Sequence, residues 1–156
     1  DISKEPSMIN PRYHGADSKR QRYSITADVA KRRTKTDGTQ NVEILELEMP
    51  KADIIMKDGS WLVLTAKTGV FTKRNKTLEL KGTVNLFHDS GFEVRTQKAK
   101  IDLQNGAATG LTPVYGQGPF GYLNGQGFRL LDKGNTIFFT GKSKLIVHPE
   151  AGRKLK

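Results

Sequence analysis

From Gly15 to Pro149 the apolar residues fall almost everywhere at alternate positions. The pairs are Tyr23/Ile25, Leu45/Leu47/Met49, Leu62/Leu64, Leu78/Leu80, Val84/Leu86, Phe92/Val94, Ile101/Leu103, Ile137/Phe139 and Leu145/Val147. Successive side chains of a strand point to opposite faces, so a period of two predicts half-buried strands. Turn signals separate them: Asp37-Gly38, Asp58-Gly59, Asp89-Ser90-Gly91, Asn105-Gly106 and Lys133-Gly134-Asn135. No sustained helical spacing interrupts the series, so the pattern predicts an all-β protein. Residues 1–14 carry Pro6 and Pro11, lack periodicity and read as a linker. The domain is expected over 15–149. Ser143–His148 reads as its last strand, stopped by Pro149, and 150–156 reads as a basic tail.

A weak internal repeat runs through the strands. Aligning Ile25, Leu64, Val94 and Leu123 superimposes YSITADVA, LVLTAKTG, FEVRTQKA and YLNGQGF. A second echo links LELKGTV (78–84), PVYGQG (113–118) and IFFTGKS (137–143). Each unit reads as a strand, a corner of small residues, and another strand. Glycine inside a strand pattern marks a bulge or bend. Gly15, Gly82, Gly116, Gly118, Gly121 and Gly141 are therefore expected at turns, and the stacked units predict a sandwich or a curved jelly-roll array.

Gly116, Gly118 and Gly121 also match G-x-G-x-x-G, the dinucleotide-binding turn. That motif needs a helix opening on the glycines and an acidic residue about 20 positions on. Pro119, Gly125 and Gly127 exclude the helix, and Gly141 stands where the carboxylate should be. The glycines turn a corner in a sheet.

Hydrophobic residues make up 35% of the 156 and charged residues 27%, which suits one domain whose elements each keep a face in water. There is no cysteine, so disulfides and thiolate metal sites are excluded. The longest apolar run, Trp61–Leu64, is far short of the about 20 residues that span a bilayer, and no signal peptide is present. The formal net charge of +10 favours acidic partners: nucleic acid, anionic lipid or acidic polysaccharide. The densest cluster, Lys31-Arg32-Arg33-Thr34-Lys35, runs into Asp37-Gly38 and reads as a hairpin loop. No aromatic stacking platform neighbours it and no RNP or zinc-finger pattern occurs, which weighs against nucleic acid.

Nor is a catalytic constellation legible. His88-Asp89-Ser90-Gly91 contains the Asp-Ser-Gly of an aspartic protease, but it links two strands where an exposed turn is expected. His14, His88 and His148 are isolated, without a second ligand at metal spacing. The expectation is no enzyme, no cofactor and no metal.

The ordered blocks NPRYHG, YSITADVA, LEMPKADI, GSWLVLTAKTGVF, KTLELKGTVNLFHDSGFEVRTQKAKIDL and GAATGLTPVYGQGPFGYLNGQGFRLLDKGNTIFFTGKSKLIV resemble the periplasmic domain of the LptC family, over about residues 10–147. The most specific pieces are L-x-L-x-G-x-V-x-L at 78–86, G-x-G-P-x-G at 116–121 and D-x-G-x-x-I-x-F-x-G-K at 132–142. The soluble bridge protein LptA shares the repeat, including an opening like Ile25-Thr26-Ala27-Asp28, and is the alternative; the closing block looks more like LptC. A basic nucleic-acid-binding β-domain is the weaker alternative.

The resemblance implies a twisted β-jelly roll of two packed antiparallel sheets on the periplasmic side of the inner membrane. An N-terminal anchoring helix, absent from this chain, would precede the linker. It implies transport of lipopolysaccharide from an inner-membrane ABC transporter of the LptB/LptF/LptG type to an LptA-like bridge protein, driven by ATP hydrolysis in the transporter. A lipid carrier needs an apolar groove, and alternation directs Ile25, Leu47, Leu62, Leu64, Leu80, Val84, Phe92, Val94, Leu123, Phe128 and Phe139 into one interior. The same set would also make the core of any β-sandwich. Lys and Arg are expected to meet the lipid phosphates. Lys76 is expected in an exposed turn. The last strand, with Lys144, Leu145, Ile146 and Val147, is expected to dock the bridge protein edge to edge while Leu145 and Val147 reach the core.

Overall fold

The computed structural model describes residues 7–55, 59–119, 121–134 and 136–147. All its strand pairings are antiparallel, and they order the strands as two layers that share two long members. The first layer runs β2 (Arg12–Ala16), β3 (Arg22–Thr26), β6 (Lys51–Ile55) and β7 (Trp61–Thr65). It continues through the second half of β9 (Thr77–His88), the first half of β10 (Glu93–Asp102), β12 (Val114–Gly118), β13 (Gly121–Gly125) and β16 (Lys144–Val147). The second layer runs β1 (Ser7–Ile9), β4 (Val29–Asp37), β5 (Gln40–Glu48) and β8 (Thr68–Thr72). It continues through the other halves of β9 and β10, then β11 (Ala107–Gly110), β14 (Gly127–Leu131) and β15 (Thr136–Thr140). This is the all-β jelly roll that the alternation predicts.

The registers place every passage of the chain between layers along one side, which we call the spine. There lie the connections β1–β2, β3–β4, β5–β6, β7–β8, β11–β12, β13–β14 and β15–β16, together with the bends inside β9 and β10. Along the opposite side, the lip, the described chain only turns back within its own layer. At the bend the register passes from Val84↔Thr96 to Lys81↔Lys98, so Gly82 and Thr83 together oppose Gln97. Both have positive φ, 81° and 44°, and the glycine takes it without a Cβ penalty. The predicted corner at Gly82 is therefore a β-bulge that carries the strand from one layer to the other.

Buried side chains of both layers form one cluster, with Ile25, Leu64, Leu86 and Val94 from the first and Leu47, Phe71, Leu80, Ile101 and Leu130 from the second. Fully burying one such side chain contributes about 1.5–3 kcal/mol. The strands bury alternate residues, as in β7, where Leu62 and Leu64 are inward and Val63 is half-buried on the outer face.

Several expectations are corrected. Residues 7–14, read as linker, form β1 and part of β2. All three β1 residues are exposed, so this edge strand is held by its ladder to β4 and leaves no hydrophobic rhythm to read. The Lys31–Lys35 cluster is not a loop but the middle of β4, and the chain reverses at Gly38-Thr39. Its two arginines are matched across the hairpin, Arg32 Nε to Glu43 Oε1 at 3.0 Å and Arg33 Nε to Glu46 Oε2 at 2.7 Å. Gly15 and Gly116 are not turns either. Each sits inside a strand because an aromatic ring occupies the place of its side chain: Tyr23 over Gly15, and Phe139 Cζ 2.9 Å from where a Cβ at Gly116 would stand. Gly118 and Gly121 do flank the β12–β13 hairpin, and Gly141 bends the chain after β15.

The His88–Gly91 segment is the exposed turn expected. The Ser90 N–H donates to His88 Nδ1 (3.0 Å), the Gly91 N–H to the His88 carbonyl (2.9 Å), and the imidazole stacks on Phe92 at 4.8 Å. Asp58, Asn135, His148 and the basic tail 150–156 lie outside the described residues.

Candidate functional site

The structure gathers the eleven expected lining residues on the inward faces of the two layers. Ile25, Leu47, Leu62, Leu64, Leu80, Val84, Val94 and Phe128 are buried, and Phe92 and Phe139 pack half-buried against them. Leu123, half-buried, shares this face because it pairs with Gly116, which in turn pairs with Val94. The interior is packed along most of its length, with a small cavity at one end and an uncovered leucine at the other.

At the β1–β2 end lies an apolar cavity of about 100 Å³ lined by Met8, Tyr13, Ile25, Ala30, Leu47 and Phe71 among others. Two exposed cations, Arg12 and Lys73, also line it, and the Lys73 ammonium lies 5.6 Å from the centre of the Tyr13 ring. The Tyr13 ring packs on Phe71 with centroids 4.9 Å apart. Of the expected set only Ile25 and Leu47 reach this cavity. Tyr13 escapes sequence reading because it falls in the stretch taken as linker. Phe71 escapes because its alternating neighbour is Gly69, which leaves a gap in the apolar rhythm. A larger hollow of about 350 Å³ on the outer face of the second layer is lined by Lys31, Glu46, Glu48, Glu79 and Lys81, a charged surface unsuited to acyl chains.

At the other end, among the described residues, β15 pairs only with β14 and β16 only with β13, so each presents an edge without a partner there. Leu145 lies opposite Leu123 and faces inward, yet it is 56% exposed. Its expected place in the core is corrected: among the described residues no strand lies beyond β16 to cover it. Ile146, on the outer face, is 51% exposed, and Lys144 is exposed beside it. Val147 pairs through its backbone with Gly121, and its side chain lies outside the described residues.

One constellation has no counterpart in the sequence reading. Asp17, in the β2–β3 turn, and Lys133, in the 3₁₀ turn before β15, are both buried and form an ion pair, Nζ to Oδ2, at 2.5 Å. The other carboxylate oxygen accepts the N–H groups of Lys19 (2.9 Å) and Gln21 (2.8 Å). Burial pushes the Asp17 pKa up, but the Lys133 ammonium and these two N–H donors outweigh it and hold the group below its ordinary value. Nearby, Lys76 is not a free turn residue: its Nζ donates to the Ala16 carbonyl at 2.9 Å. Tyr23 is pushed up to about 12 by burial and by Tyr13 and Asp17, and its hydroxyl has no hydrogen-bond partner among the described residues. Among those residues no three His, Cys, Asp or Glu side chains group to hold a metal, and no helix is long and apolar enough to cross a membrane.

A family model described as "Lipopolysaccharide-assembly, LptC-related" matches residues 5–146. The chain belongs to the LptC-related family. No curated protein matches it. Membership places this LptC-related chain in lipopolysaccharide transport, as a periplasmic component of the transport system, and agrees with the jelly roll observed.

Proposed function

We propose that this LptC-related domain holds the acyl chains of lipopolysaccharide between its two layers, receiving the lipid from an LptB/LptF/LptG-type transporter and passing it to an LptA-like bridge protein. The observation that carries this reading is the continuity of the inward face, from the cavity beside Tyr13 and Phe71 to the uncovered Leu145. An apolar interior that ends in exposed apolar side chains is suited to continue into another protein. Each acyl methylene transferred from water contributes about 0.8 kcal/mol, so several chains supply ample affinity. Arg12 and Lys73 at the cavity suit the phosphates of lipid A, with the guanidinium able to bind bidentately. An anchoring helix ahead of residue 1 would keep the domain at the inner membrane.

Hand-off uses the β15–β16 end. A strand added to the free edge of β16 gains backbone hydrogen bonds worth about 0.5–1.5 kcal/mol net each and covers Leu145 and Ile146. Lys144 guards that edge against indiscriminate pairing.

Photo-crosslinking tests the interior. A benzophenone amino acid replacing Phe92, Phe128 or Phe139 retains an aromatic at each site and should capture lipopolysaccharide. The same group at Thr109, exposed on the outer face of β11, should not. Equal labelling at all four positions contradicts a defined groove.

A further inference from the structure

The interior is closed as it stands. Eight of the eleven expected lining residues are buried, and the apolar cavity measures about 100 Å³, against the about 300–1,000 Å³ of ordinary ligand pockets. Admitting acyl chains therefore requires the layers to part, and the topology restricts where. Along the spine they are joined by chain at every connection and by the continuous strands β9 and β10. Along the lip no described segment crosses.

Three polar contacts span the lip, and each comes from the end of one hairpin. The Ser18 N–H donates to the Gln104 carbonyl at 2.9 Å, Asp17 pairs with Lys133, and Lys76 Nζ donates to the Ala16 carbonyl. The hairpin is β2–β3, and among the described residues β2 is an edge strand paired with β3 alone. Its turn is self-contained. The Asp17 N–H donates to the Gln21 carbonyl (2.9 Å), the Arg20 N–H to the Asp17 carbonyl (3.0 Å), and the Asp17 carboxylate accepts the two N–H groups named above. It can therefore lift as a unit. The Lys133 ammonium has no hydrogen-bond partner among the described residues apart from that carboxylate.

A buried ion pair is close to break-even, because parting returns both charges to water. Such a pair holds a closed state firmly in geometry but weakly in free energy, as a releasable contact must. The cavity lies under the strands of the same hairpin, toward their spine ends at Arg12, Tyr13, Ile25 and Thr26, with Phe71 of β8 and Lys73 just after it on the other side.

We propose that the β2–β3 turn is a side gate: the Asp17–Lys133 clasp shuts the lip, and its release admits an acyl chain laterally into the cavity beside Tyr13 and Phe71. The gate rests on the interior being the lipid site.

The chain has no cysteine, so Ser18→Cys/Gln104→Cys introduces a lone pair of thiols, and the main-chain hydrogen bond between these positions keeps them within disulfide reach. Uptake of dansyl-undecanoate is followed by stopped-flow fluorescence in the oxidised and reduced double variant, with far-UV circular dichroism confirming the fold. The oxidised form should load about tenfold more slowly than the reduced form, as expected when a closing segment limits entry, and reductant should restore the rate. Asp17→Asn and Lys133→Gln, without any crosslink, should load faster than the wild type. Equal loading rates in oxidised and reduced protein overturn the gate and leave the interior site standing. Loading by none of the forms removes both.

Discussion

Asp17 and Lys133 meet because two turns, each with its own reason to exist, end at the same point of the lip. The carboxylate caps its own turn through the Lys19 and Gln21 N–H groups, and the lysine sits at φ 53° in the 3₁₀ turn, with its backbone N–H bonded to the Gly106 carbonyl at 2.8 Å. The aspartate pKa is lowered in the folded state. Its contribution to stability is therefore present above the ordinary aspartate value of about 3.9 and is lost as pH falls through the folded-state pKa. Asp17→Asn should destabilise the protein at neutral pH by less than the about 3–5 kcal/mol typical when a fixed buried pair loses one partner, because the freed turn lets Lys133 reach water. Urea titrations across the acid range should show wild type and variant converging as the carboxylate protonates. A gap that persists unchanged into strong acid would contradict the linkage. Neither residue is legible in the sequence as part of a pair, since burial of a charge depends on tertiary partners 116 positions away in the chain.

At the scale of the element, β16 carries the clearest prediction. Among the described residues its ladder to β13 holds it on one side only, and Leu145 and Ile146 are left uncovered. Ile146→Pro removes an N–H and strains the strand, and deletion from Lys144 onward removes the edge altogether. Both should abolish binding of an LptA-like protein in titration calorimetry while most of the β-structure signal remains. Unchanged affinity in a folded truncation would place the docking edge elsewhere. The strands themselves were legible wherever one face is buried against the other layer, as in β7, β9 and β10, because burial on one face is what writes period two into a sequence. Where an element is held by its ladder instead, the rhythm vanishes. β1 has no buried residue, and β4 carries its basic run as cross-strand partners for Glu43 and Glu46. Glycine misleads in a further way: Gly15 and Gly116 bend nothing but make room for Tyr23 and Phe139, a contact between strands that single-strand patterns do not contain.

The whole molecule is one antiparallel sheet folded along a spine, with its interior apolar from the Tyr13–Phe71 cavity to Leu145. Family and fold were readable because ordered blocks and alternation span nearly the whole chain. The uncovered edges and the clasp were not, because they arise from which strands lack neighbours and which turns meet in space. The account's central claim is that lipopolysaccharide lies inside. Methyl NMR of the protein bound to lipopolysaccharide tests this most directly. Nuclear Overhauser contacts to acyl methylenes should arise from the inward methyls of Leu47, Leu64, Val94 and Leu123 and be absent from the outward methyls of Val63 and Val70. Contacts confined to the outward methyls, with the inward set silent in the bound complex, would contradict it.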